Sequence, residues 1–157
     1  MSVFESSIFK GRQFVITGAS SGIGRQCAIA VSKLGGTVLL LGRNERRLQE
    51  TILMMEGRSH SFMASDVRES ELIEGSIREF IASNGKISGF LHSAGIDSTA
   101  PLQALSLQDL HETFSVNVYA GFQLTKILTK RAYRDASMSI VYMASVMGFL
   151  GEPGKTA

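Results

Sequence analysis

The sequence predicts an α/β protein built on an open, doubly wound parallel sheet. Short apolar runs alternate with segments of helical period in the order β-α-β-α-β-α-β-α-β. A glycine-rich turn joins the first run to the first helix, as in nucleotide-binding βαβ units. The chain has 157 residues, 44% of them hydrophobic, so one core can form without disulfides.

The elements follow in order. Arg12–Thr17 (RQFVIT) reads as a buried strand. Ile23, Cys27, Ala30, Val31 and Leu34 have helical spacing, and Gly35-Gly36 stops that helix. Thr37–Leu41 (TVLLL) is a second strand. Glu45–Met55 is a helix with Leu48, Ile52 and Met55 on one face. Arg58–Ala64 is a weaker strand. Glu69–Ala82 is a helix carrying Leu72, Ile73, Ile77, Phe80 and Ile81. Ile87–His92 is a fourth strand, and Ser93–Leu105 reads as loop. Ser106 opens a long helix that could reach Arg131, with Asp109 as a capping-box partner. Ser139–Ala144 is a fifth strand, and Gly148–Ala157 reads as loop. Residues 1–157 are expected to form one dinucleotide-binding domain. On such sheets ligands bind beyond the carboxyl ends of the strands.

Composition narrows the function. Lys+Arg 16 against Asp+Glu 14 leaves a net charge of +2, which argues against a nucleic-acid partner. One cysteine, Cys27, excludes an internal disulfide and a multi-cysteine metal site. No apolar run approaches the ~20 residues of a membrane span. The start shows no secretory pattern. A cytoplasmic protein with no membrane partner and no metal is the expectation.

The turn is Thr17-Gly18-Ala19-Ser20-Ser21-Gly22-Ile23-Gly24. Gly18 allows a sharp turn, Gly22 lets the backbone approach a pyrophosphate, and Gly24 lets helix and strand pack closely. The helix N-terminus offers free N–H groups and partial positive charge. The spacing differs from G-x-G-x-x-G, because Cys27 stands where the last glycine would fall. Gly18–Gly22 also fits G-x-S-x-G, which keeps a serine hydrolase using Ser20 as an alternative. That reading lacks an earlier strand for an oxyanion loop. It also lacks a persuasive partner among His60, His92 and His111. Gly154-Lys155-Thr156 resembles a P-loop end, but Phe149 replaces the required glycine.

The second strand ends Leu41-Gly42-Arg43-Asn44. An acid there selects the ribose 2′-OH of NAD, whereas an Arg accommodates the 2′-phosphate of NADP. No carboxylate sits at the strand tip, and Arg43 supplies a phosphate-matching fork. NADP(H) is therefore favoured over NAD(H). Arg46 and Arg47 are read as an exposed helix face.

With these residues in view, the chain resembles the short-chain dehydrogenase/reductase family, and within it the 3-oxoacyl-carrier-protein reductase-like members. Thr17–Gly24, Asp66-Val67, Ser93-Ala94-Gly95, Ser115-Val116-Asn117 and Ser145 carry the resemblance, which runs from about Lys10 to the end of the chain. It implies a Rossmann-like fold and hydride transfer between NADP(H) and a small-molecule carbonyl or secondary alcohol. Gly18, Ser20, Ser21 and Ile23 would line the pyrophosphate and adenosine ribose, Arg43 would meet the 2′-phosphate, and Asp66 and Val67 would border the adenine. His92 to Gly95 would lie along the nicotinamide side. Asn117 would hold a water in the proton relay, and Ser145 would bond the substrate oxygen. The resemblance also implies a homodimer or homotetramer.

The family pattern Asn-Asn-Ala-Gly is replaced by His92-Ser93-Ala94-Gly95. His92 and Tyr142 are read as packing residues. The family's Tyr-x-x-x-Lys pair, which supplies the proton, falls due just beyond Ala157. The expectation is a fold truncated after its fifth strand, in a chain inactive alone and belonging to a longer enzyme. The alternative is a non-catalytic NADP-binding remnant.

Overall fold

The computed structural model describes residues 7–150 and Gly154. Its elements are β1 (Gln13–Thr17), α1 (Gly22–Lys33), β2 (Thr37–Gly42), α2 (Glu45–Leu53), β3 (Ser61–Ala64), α3 (Ser70–Asn84) and β4 (Ile87–His92). A short turn of 3-10 helix (Leu102–Ala104) precedes α4 (Leu107–Phe114). A π-helical turn (Ser115–Tyr119) joins α4 to α5 (Ala120–Leu128), and β5 (Arg134–Tyr142) follows. The five strands form one sheet in the order β3-β2-β1-β4-β5, with every pair parallel. This is a Rossmann-like sheet with helices on both faces.

β2 shows why the apolar runs are continuous. Val38 and Leu40 face one core, with Ile16, Ala28 and Leu48 from β1, α1 and α2. Leu39 and Leu41 face the other, with Val15, Ile73, Ile77, Phe90 and Leu124. Side chains alternate along a strand, so both faces of a doubly covered strand must be apolar. Each buried Leu or Ile contributes about 1.5–3 kcal/mol.

Three elements differ from the sequence reading. β3 begins at Ser61 and not at Arg58. The His60 ring explains the late start: its Nδ1 accepts from the Val38 N–H at 3.1 Å, so a side chain takes the place of a strand carbonyl. The helix expected from Ser106 to Arg131 is broken by the π turn, where the Ala120 N–H reaches back to Ser115 O, and it ends at Leu128. Its start is as expected, with Ser106 and Asp109 forming a capping box. β5 begins at Arg134, because Arg134 pairs with Ile87; the register then shifts, and Ser139–Tyr142 pair with Gly89–His92. Of the loop expected over Gly148–Ala157, residues 151–153 and 155–157 lie outside the described residues, and Val146–Gly148 forms a 3-10 turn.

Candidate functional site

The carboxyl ends of β1, β2, β3 and β4 surround a cavity of about 830 Å3. Gly18, Ser20, Ser21, Gly22 and Ile23 form its floor. Arg43, Asp66 and Val67 form one flank. Ser93, Ala94 and Gly95 form the other. The glycine turn accounts for the floor. Gly18 has φ +67°, and a Cβ there would lie 2.7 Å from Ser93 O. A Cβ on Gly24 would lie 2.5 Å from Gly18 O, so this glycine packs helix against turn and does not line the cavity. Gly22 also has positive φ, +54°, but nothing lies within 4 Å of its missing Cβ. Fold packing therefore explains Gly18 and Gly24. At Gly22 open space lies where a Cβ would be.

The start of α1 is suited to an anion. Ser21 stands at its N-cap without a side-chain capping bond, and the first turn holds no acid. By contrast, α2 is capped by Asn44 and α4 by Ser106. The first N–H groups of α1 thus keep their hydrogen-bonding capacity at the cavity floor.

Thr17 organises the wall. Its Oγ1 accepts from the Ser93 and Ala94 N–H groups, both at 3.0 Å. With two acceptances made, its own O–H donates to His92 Nδ1 at 3.0 Å. His92 must then carry its proton on Nε2, which donates to Val116 O at 3.2 Å. Burial pushes the His92 pKa below its ordinary value, against the opposing effect of the Val116 and Asn117 carbonyls. Neutral His92 thus joins β1, β4 and the π turn. The Tyr142 ring packs 5.4 Å from the His92 ring, and its hydroxyl bonds the Thr125 hydroxyl at 2.7 Å.

Asn117 does not line the cavity. Its amide oxygen accepts from Ile96 N–H at 2.8 Å, and its amide nitrogen donates to Ile96 O at 2.9 Å. The side chain therefore clasps the loop after β4, and the cavity meets the loop and helix at Ile96 and Val116. Ser145 also lies outside the cavity lining. It is exposed, and its Oγ accepts from Met147 N–H at 3.2 Å.

Asp66 is bound on both oxygens by Arg68, with Nε–Oδ1 at 2.9 Å and Nη2–Oδ2 at 2.8 Å. The Arg68 guanidinium holds the Asp66 carboxyl down to about 2. Asn44, Ser65 and Arg47 also lie on the lining, the first two at strand ends where the sequence places ligands. Arg47 is exposed, as expected, and from the first turn of α2 it also borders the cavity. Among the described residues no group of three or more His, Cys, Asp or Glu is placed to hold a metal, and no helix is long and apolar enough to cross a membrane.

Comparisons with known proteins agree with this geometry. The uncharacterized oxidoreductase YciK of Escherichia coli K12 is 29% identical over 153 residues, which cover 94% of this chain and 61% of that protein. The 3-oxoacyl-[acyl-carrier-protein] reductase FabG of Chlamydia trachomatis is 25% identical, with 96% of this chain and 62% of that protein covered. Among solved structures, a short-chain-dehydrogenase-type protein of Escherichia coli CFT073 complexed with NADPH superposes with a TM-score of 0.86 at 28% identity, covering 97% of this chain and 66% of that one. The chain thus spans about three fifths of the length of the curated relatives it matches. The family model for short chain dehydrogenases matches residues 12–157, nearly the whole sequence, and with the parallel sheet and the glycine turn it shows that this chain belongs to the short chain dehydrogenase family.

Proposed function

We propose that the chain is the cofactor-binding part of an NADP(H)-dependent oxidoreductase acting on a carbonyl or secondary alcohol. The observation that carries this reading is the open space above Gly22, beside the uncapped start of α1 and below Arg43. A diphosphate fits that floor, because backbone amides and helix dipole both favour an anion there. NADP(H) would supply the hydride chemistry when bound.

The chain's own residues would do the following. Ser20, Ser21 and Ile23 hold the diphosphate, and Gly22 keeps its approach clear. Arg43 meets the 2′-phosphate as a charged fork. Ser93 to Gly95, held by Thr17, form a rigid wall on the nicotinamide side. Asn117 acts by fixing Ile96 and not by touching ligand with its amide. Ser145 accepts from Met147 N–H and still has its own hydroxyl proton to donate to the substrate oxygen. The proton for the product alkoxide is assigned to a Tyr-x-x-x-Lys pair, which the sequence here does not contain. A cytoplasmic location and a homodimer or homotetramer belong to the same proposal.

The test is cofactor binding by titration calorimetry. NADPH is expected to bind more tightly than NADH, with the order reversed in Arg43→Asp. Equal affinities in the parent chain refute the NADP assignment.

A further inference from the structure

Five arginines lie on the elements around the Arg43 end of the cavity, and the acids beside them are unevenly shared. Arg25 and Arg46 both pair with Glu50, at 3.6 and 3.1 Å. Arg68 occupies Asp66. Glu69 is engaged by the Ser65 hydroxyl and the Asp66 N–H, and Glu45 by Gln49. Arg43 and Arg47 remain. Both line the cavity, and among the described residues neither guanidinium has an acid within 4 Å.

Arg47 stands where a cation is unfavourable. It is in the first turn of α2, beside the positive end of the helix dipole, and no carboxylate offsets it as Glu50 offsets Arg46. Its backbone is nevertheless fixed. Asn44 accepts its N–H at 3.0 Å. Its carbonyl accepts from Thr51 Oγ1 at 2.9 Å and from Arg25 Nη2 at 3.3 Å. Arg25 Nη2 also donates to Ser20 O, and the single Thr51 hydroxyl proton is shared between Arg47 O and Ala19 O at 3.0 Å. Arg25 and Thr51 therefore tie the glycine turn to the first turn of α2. The spacing between the diphosphate floor and Arg47 is set by that brace.

We infer that Arg43 and Arg47 form one two-guanidinium site for the 2′-phosphate, with Arg47 as a specificity-determining residue. The inference rests on the dinucleotide reading above. A phosphomonoester carries about −1.5 to −2 near neutral pH, which two guanidinium groups match. Capture of Asp66 by Arg68 completes the design. An uncommitted Asp66 would compete with the phosphate for Arg43, whose charge it already feels.

The experiment titrates the full chain with 2′,5′-ADP, 5′-AMP, NADPH and NADH, in the parent, Arg47→Gln, Arg43→Gln and the double variant. Loss of one charge-assisted fork weakens 2′,5′-ADP and NADPH by about tenfold to a hundredfold. Binding of 5′-AMP and NADH stays within about twofold, which also shows that the variants are folded. The double variant no longer distinguishes 2′,5′-ADP from 5′-AMP. The inference is overturned if Arg47→Gln binds 2′,5′-ADP as the parent does while Arg43→Gln does not. A parent chain that binds NADPH no better than NADH overturns it together with the NADP reading.

Discussion

Replacing Thr17 by Val tests the hydrogen-bonded hub behind the cavity wall. The side chain is fully buried, and its one oxygen serves three partners. Valine keeps the volume and removes the hydroxyl. His92 Nδ1, in a residue only 2% exposed, then loses its donor, at a cost of about 1–3 kcal/mol. The half-buried N–H groups of Ser93 and Ala94 lose their acceptor, for about 0.5–1.5 kcal/mol each. The sum is about 2–6 kcal/mol. Thr17→Ser keeps all three bonds and removes one methyl, worth ~1 kcal/mol. Urea unfolding followed by far-UV circular dichroism separates the two. The two variants then differ by about 1–5 kcal/mol, and with a slope of ~1–3 kcal/mol per molar the valine midpoint falls about 0.3–5 M below the serine midpoint, about 1.5 M at mid-range. The wall made by Ser93 to Gly95 also loosens, so NADPH binding drops in Thr17→Val and not in Thr17→Ser. Coincident midpoints for the two variants refute the hub.

Two further perturbations test neighbouring features. Gly22→Ala is expected to cost ~1 kcal/mol in stability, since only its positive φ resists a Cβ, yet to weaken NADPH binding by more than about tenfold. Gly24→Ala is expected to cost several times more in thermal or urea unfolding, because its Cβ meets backbone at 2.5 Å; equal destabilisation of the two sinks the distinction. His92 titrates below its ordinary value in the fold, so the unfolded chain takes up its proton first as pH falls. Stability is then full above ~6.5 and declines as pH drops through that value toward the folded one, and His92→Asn flattens this part of the urea-midpoint profile. An unchanged slope in His92→Asn removes His92 as its source. Among the described residues, Tyr142 is a titratable side chain packed against its ring.

Much of the fold and of the cavity floor was legible in the sequence because the signals are local. TVLLL between glycines can only satisfy a strand buried on both faces. TGASSGIG codes strand end, turn and helix start within one span of neighbouring residues. The place of Arg43 on the cavity lining was legible because it directly follows the second strand. The capping box at Ser106 and Asp109 is likewise a short-range pattern.

What the tertiary structure decided are the partnerships between distant residues. Nothing near His60 in the chain says that its ring takes the Val38 N–H and delays β3. The π turn is marked by no proline or glycine pair. It lies where Asn117 clasps Ile96 and His92 takes the Val116 carbonyl, contacts that span 21 and 24 residues. Arg46 and Arg47 are adjacent and chemically equal, yet Glu50 pairs with one and the cavity meets the other. Periodicity encodes which face a side chain takes relative to its own element. Which charge is already neutralised depends on what the other elements bring against that face, and only the assembled sheet and its helices set that.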